Sequence, residues 1–516
     1  MKRLCRASHS RFAHASLIVS TAALCGALMI ASSAFGAGPN YRIVDTNQTK
    51  CYGTGSSGKM RSCPDVGDKL FGQDGNYVVN PPRYQDNGDD TVSDLVTGLM
   101  WQKGFTRDVP FNQAPEYARK ANTGGHNDWR VPSVKELYSL IDFSGHQGSG
   151  NPSSSSPPRD AVPFIDTKAF AFEFPTSGRY IDAQYVTTSA YRGVAMGNQA
   201  FFGVNLADGR IKGYPQNGNP KRSGWYARFV RGNPDYGRNA FRDKGNGTIS
   251  DTATGLTWTQ GDSGDRGFSG KLGKTHYQDG RMDWPEALNF CENLDFGGGN
   301  DWRLPNAKEL HSILDYSRSP QSTRTAALDP IFGVTAITDE KKQPNFPGYW
   351  SSTTLLVGRT PGSDAVVVYF GEALGAPSQM PPSMGGQSGG GNQQGQRQGR
   401  GMRMPPPHMQ GQGFRPGMQQ GQGMRMPPPH MQGQGFRTGM QQQGQGMGRQ
   451  GMQGGRQTQG GSGSQGGGTI MDVHGAGAQR SDPKIGNASE YPSWGHGPQG
   501  DVRRVYNHVR CVRTAG

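Results

Sequence analysis

Three sets of side chains in this 516-residue chain have types and spacing that could do chemistry. The first is rich in carboxylates. In DNGDD, Asp86, Asp89 and Asp90, followed by Asp94, put oxygen donors at near-alternate positions as calcium loops do; DKGNG repeats the pattern with Asp243, Asn246 and Asp251. Neither stretch has the Glu that closes an EF-hand loop, and NGDD and GNG are also good hairpin turns, so calcium and a plain turn both stand as readings. The second set is a pair of Met-Pro-Pro-Pro-His-Met units, Met404 to Met409 and Met426 to Met431, whose thioethers and imidazoles suit Cu(I). The third is Cys51, Cys63, Cys291 and Cys511, which lack CxxC metal spacing. A nucleophile beside its base, carboxylates paired on a helix and an HExxH zinc site are all missing from the pattern, and the chain reads as a non-enzyme without an obligatory cofactor.

Compartment follows from the N-terminus. Lys2, Arg3, Arg6 and Arg11 precede an apolar run from Ala15 to Phe35, and SSAFGAG supplies a small-residue cleavage context, so residues 1–36 read as a secretory signal. Cleavage removes Cys5 and Cys25 and leaves the other four cysteines in an oxidising setting where pairing is the default. No later segment is apolar enough to span a bilayer, so the mature chain is expected in the periplasm, on the cell surface or secreted.

The net charge of +14 is unevenly placed. Four of those charges lie in the signal. Eight more (Arg397, Arg400, Arg403, Arg415, Arg425, Arg437, Arg449 and Arg456) lie between Gly385 and Gly468, with no acid among them. The rest of the chain is nearly neutral. This arginine-bearing stretch, within a Gly/Gln/Met/Pro-rich segment from 376 to 468, is too poor in apolar residues to fold alone and reads as a disordered insertion. It could add multivalent contacts to an acidic polysaccharide, or nonspecific ones to nucleic acid.

The elements that must position these groups come in two copies. GGHNDWRVPSVKEL at Gly124 and GGGNDWRLPNAKEL at Gly297 agree at ten of fourteen positions, and RYQDNGDDTVSDLVTGLMW matches RFRDKGNGTISDTATGLTW. A small cysteine-containing region, 37–80, is followed by a first domain at 81–232 and a second at 233–516 that the insertion interrupts. Ser133 with Glu136, and Asn306 with Glu309, read as capping boxes that start short helices behind Pro132 and Pro305. Trp129 with Arg130, and Trp302 with Arg303, could form a ligand platform; packing of the Trp with the Arg held by a capping Glu is the preferred reading.

Comparing the copies also suggests a disulfide. Cys291 falls opposite Ala118 and Cys511 opposite Phe229, so both cysteines belong to the second copy and both give way to apolar residues in the first. A pair present or absent together predicts a Cys291 to Cys511 bridge, leaving Cys51 and Cys63 to close a local loop.

DNGDDTVSDLVTGLMWQ, the helix ending in FCENL, GGGNDWRLPNAKEL, YWSSTT and the terminal VRCVR together resemble the C-terminal domain family of the Legionella collagen-like adhesin, in two copies. WRLPNAKEL and VRCVR are also similar to segments of sulfatase-modifying-factor proteins. That second likeness implies an α+β fold: two tandem C-type-lectin-like domains, each with two short helices and short antiparallel strands. The adhesin likeness implies binding of sulfated glycans. The expectation is thus an exported, non-catalytic binding or adhesion protein for glycan or acidic polysaccharide; the alternatives are an envelope scaffold for protein partners and, third, a degenerate sulfatase-modifying-like enzyme. No strict Gly-X-Y array is present, so a collagen stalk does not carry over.

Overall fold

The computed structural model describes residues 39–55, 58–218, 224–265, 279–358, 360–377, 469–488 and 500–514. The signal, both Met-Pro-Pro-Pro-His-Met units and all eight arginines of the insertion lie outside the described residues.

A small hairpin, β1 (Cys51–Tyr52) with β2 (Met60–Arg61), precedes the first copy. That copy opens on the meander β3 (Tyr84–Asp86), β4 (Thr91–Asp94) and β5 (Leu99–Gln102). It continues through β6 (Thr106–Val109), β7 (Gln184–Tyr185), β8 (Ala190–Ala195), β9 (Asn198–Asn205), β10 (Arg210–Pro215) and β11 (Trp225–Ala227). It closes with β12 (Val230–Gly232), which returns to pair with β5. The second copy opens identically with β13 (Phe241–Asp243), β14 (Thr248–Asp251) and β15 (Leu256–Thr259). Then come the two-stranded β16 (Ile337–Thr338) and β17 (Pro344–Asn345), followed by β18 (Gly348–Leu355), β19 (Asp364–Tyr369), β20 (Leu374–Gly375), β21 (Met471–Asp472) and β22 (Gln479–Pro483). The last strand, β23 (Val512–Thr514), closes on β15 as β12 does on β5. First and last segments of each copy are thereby tied into one four-stranded sheet. Its central inward residue is a fully buried tryptophan, Trp101 opposite Val92 and Val230, or Trp258 opposite Ile249 and Val512.

Both glycine pairs have a steric reason. Gly124 and Gly297 each take φ of 61°, and a Cβ there would come within 2.6 Å of the Thr91 methyl or 2.3 Å of the Thr248 methyl. The chain then passes the buried Trp, and Pro132 or Pro305 leads into a helix, Val134–Tyr138 or Ala307–Ser312, each started by a complete capping box. A third box, Asp283 with Glu286, starts the helix Trp284–Glu292. The counterpart helix, Ala114–Lys120, has no side-chain cap hydrogen bond.

The two copies share a sheet. Its nine strands run β18-β19-β22-β10-β9-β7-β11-β6 with β8 on β9, and the junction is the antiparallel pairing of β10 with β22 through Ile211 and Gln479. These are the corresponding strands, since β9 leads into β10 as β19 leads into β22. The main hydrophobic core is likewise common, holding Leu137, Leu140 and Ile141 of one copy with Leu310, Ile313 and Leu314 of the other. Each copy keeps a smaller cluster of its own around Trp129 or Trp302. The result is mixed helix and strand, with mostly antiparallel sheets and few, short helices.

Candidate functional site

The signature residues spend their polar groups on one another. Arg303 makes two hydrogen bonds to Glu309, of 2.7 and 2.6 Å, while Glu309 also accepts from the Asn306 amide and the Asn306 side chain accepts from the Glu309 amide. Arg130 and Glu136 repeat this at 2.8 and 2.5 Å. The indole N–H of Trp129 donates to Thr123, and that of Trp302 to Phe296 and Gly299. Such a guanidinium-carboxylate fork on a helix start fixes the crossing from strand to helix.

The acidic stretches are turns. Asp86 accepts from the Gly88 amide and from Lys103; Asp89 accepts from the amide and hydroxyl of Thr91; Asp94 accepts from the amides of Val96 and Thr97; and Asp90 takes positive φ at the tip. In the second copy Asp243 accepts from Gly245 and Gln260, Asn246 from Thr248, and Asp251 from Asn239 and the amides of Ala240 and Ala253. Among the described residues no three His, Cys, Asp or Glu side chains come together as a metal site built from those residue types would require. Asx turns use the same alternate spacing as the calcium ligands read from the sequence. The disulfides are Cys51 to Cys63 and Cys291 to Cys511.

Two clefts remain. One lies beside the β10–β22 junction, about 510 Å³ in volume, where Arg179, Arg210, Lys212, Arg480 and Arg503 meet Asp208, Asp364 and Asp501, with Gln147, Ser153 and Ser481 among them. The carboxylates hold the cations in place: Asp208 takes Arg210 at 3.4 Å and Lys212 at 3.3 Å, Asp364 takes Arg503 at 2.6 Å, and Asp501 takes Arg480 at 3.7 Å and also bonds the His474 ring at 3.0 Å. Burial works against the Asp501 carboxylate, yet Arg480, His474 and Lys212 hold it well below the ordinary carboxylate range. Burial drives His474 down to about 4 despite Asp501, so it is neutral at physiological pH. Five cations face three carboxylates in the lining, and Asp182 beside it takes Arg179 at 2.5 Å, which leaves an excess of one positive charge. Sequence reasoning missed this site because its residues come from both copies; the only local trace is Arg210 and Lys212, two apart on one strand and therefore on one face.

The other cleft, about 830 Å³, opens beside the signature of the first copy, between Trp129, Arg130 and Ser189 on one side and Asp315 and Tyr316 of the second copy on the other. Its counterpart beside Arg303 is filled by the segment before β3. Tyr77 lies over the Arg303 guanidinium at 5.4 Å and bonds to Glu292 through its hydroxyl. Asp74 accepts from Thr353 at 2.5 Å and from Thr46 at 2.7 Å, and Gln48 pairs with both backbone groups of Thr354.

A tandem duplicate of a small antiparallel module, closed by a disulfide in one copy and presenting clefts where the copies meet, is a repeat-built protein in its architecture. The chain belongs to the Lcl C-terminal domain family, whose pattern matches residues 90–231 and again 247–383. No curated protein and no solved structure matches it.

Proposed function

We propose that this is an exported, non-catalytic binding protein of adhesin type that recognises acidic carbohydrate, with C-type-lectin-like modules as its scaffold. The observation that carries the reading is the cleft at the β10–β22 junction, whose guanidinium groups are pre-positioned by carboxylates and stand among hydroxyl and amide side chains. A sugar ring bearing a carboxylate or sulfate needs that combination: charged donors for the anion and neutral polar groups for the ring hydroxyls. The net positive excess is small, so binding depends on individual donors more than on bulk polyanion attraction. The arginines of the insertion supply additional, salt-sensitive contacts. Family membership supports a binding role, and the two disulfides suit an oxidising compartment.

The test is a titration of the mature protein with a sulfated polysaccharide across a salt series, beside Arg210→Ala and a form lacking residues 385–468. Arg210→Ala is expected to weaken binding roughly tenfold, and the deletion to reduce salt dependence while leaving binding intact. Binding that ignores Arg210→Ala but vanishes with the deletion would move recognition to the insertion; no binding by any form would sink the carbohydrate reading.

A further inference from the structure

The duplication lets one half of the molecule report on the other. Arg130 corresponds to Arg303, Ser189 to Thr353, and Asp315 with Tyr316 to Asp142 with Phe143. Ser189 and Thr353 occupy the same place because each accepts from the first amide of its capped helix, Val134 at 3.0 Å and Ala307 at 2.9 Å. Yet the two sets are covered very differently. The Arg303 side chain is 9% exposed and that of Arg130 is 37%. Ser352 and Thr353 are buried, whereas Thr188 is exposed and Ser189 half-buried.

What covers the second copy is a piece of polypeptide. Its backbone meets Phe143, whose amide donates to the Thr46 carbonyl at 2.8 Å, and Asn47 donates to Asp142 at 3.0 Å. Asp74 then presents a carboxyl to Thr353, and three residues on Tyr77 presents its ring to Arg303. The chain leading into the second copy, residues 233–240, is too short to do the same for the first. It reaches only as far as Lys135, which donates to Gly237 and Asn239, and leaves the rest of the cleft open.

We propose that the open cleft of the first copy is the docking site for an extended polypeptide segment of a partner protein with an Asp-x-x-Tyr pattern, which places a carboxyl group on Ser189 and an aromatic ring on Arg130 as this chain's own segment does in the second copy. A guanidinium already locked by Glu136 costs little further ordering when a ring settles on it.

The probe is a labelled peptide of residues 71–79, FGQDGNYVV, titrated by fluorescence anisotropy into the full mature protein. Saturable binding of one peptide per chain is expected, weakened roughly tenfold or more by Thr188→Trp, which fills the cleft from an exposed position. The same loss is expected when the peptide carries Asp74→Ala or Tyr77→Ala. Absent binding overturns the proposal, and so does binding untouched by Thr188→Trp, which would mean exchange with the segment in the second copy. A sulfated oligosaccharide that displaces the peptide from the wild-type protein in a one-to-one manner would also overturn it, because the cleft would then be a carbohydrate site. Circular dichroism of Thr188→Trp checks that the variant keeps its fold.

Discussion

At the residue scale the molecule buries ionisable groups where the N-terminal segment meets the second copy, and the balance of burial against partners decides their state. Asp74 is raised from 3.8 to about 8, chiefly by burial and then by Asp45, against the opposing hydrogen bonds of Thr353 and Thr46; its other oxygen has no hydrogen-bond partner. A carboxyl whose pKa is higher in the folded than in the unfolded chain binds a proton on folding. Its contribution to stability is fully present below about pH 4 and is lost as pH rises towards 8, by up to about 1.4 kcal/mol per pH unit within that window. Asp472, raised to about 7 mainly by burial, adds to the same trend at the other end of the second copy. Asp74→Asn keeps the neutral, hydrogen-bonding shape and removes the titration. We expect its denaturant-unfolding stability to fall less steeply than wild type between pH 5 and 8, the two curves converging at the acid end. Parallel curves across that range would show that Asp74 is ionised in the native protein.

At the scale of elements, much of the architecture was legible because the sequence carries its own comparison. The capped helices follow from Ser133 with Glu136 and Asn306 with Glu309, and the Trp101 and Trp258 meanders follow from alternating residues around a turn. The Cys291 to Cys511 bridge was readable because Ala118 and Phe229 sit opposite it and pack within one small cluster of the first copy, doing with apolar contact what the second copy does covalently. The acidic loops were ambiguous because Asx turns and calcium loops use the same residues at the same spacing. The pairing of β10 with β22 left no trace, since an edge strand carries nothing local that names its partner. The bridge closes a span of 220 residues. Loop-closure entropy alone would give it about 5 kcal/mol, an upper figure for native disulfides. Cys291→Ala with Cys511→Phe, which copies the first module, should therefore cost about 2–4 kcal/mol. Its unfolding midpoint should also drop less on adding reductant than that of the wild type, where both bridges are lost. An equal drop in the two proteins would place the stabilisation in Cys51 to Cys63 instead.

For the molecule as a whole, the two copies are related as the subunits of a two-fold dimer fused into one chain. Lys135 of the first copy donates to the Ser312 carbonyl of the second at 2.6 Å, and Lys308 of the second donates to the Ser139 carbonyl of the first at 2.8 Å. These are corresponding residues bonding reciprocally, and burial lowers both lysines to about 8. The pairing of β10 with β22 and the single core that holds Leu137, Leu140 and Ile141 with Leu310, Ile313 and Leu314 fit the same two-fold relation. A copy separated from its partner would expose an unpaired strand edge, an apolar helix face and a buried lysine stripped of one acceptor. The N-terminal segment would not replace the missing half, because it bridges the copies, bonding Asp142 and Phe143 of the first and Thr353 and Thr354 of the second. Residues 81–232 expressed alone are therefore expected to persist only as a self-associated species, most simply a dimer that rebuilds the junction from two identical β10 strands. Light scattering coupled to size exclusion, with hydrogen exchange on β10, would show this as a doubled mass with protected β10 amides. A stable monomer with β10 amides exchanging freely would mean that each copy folds independently, and that the shared sheet is a consequence of tethering rather than a condition of stability.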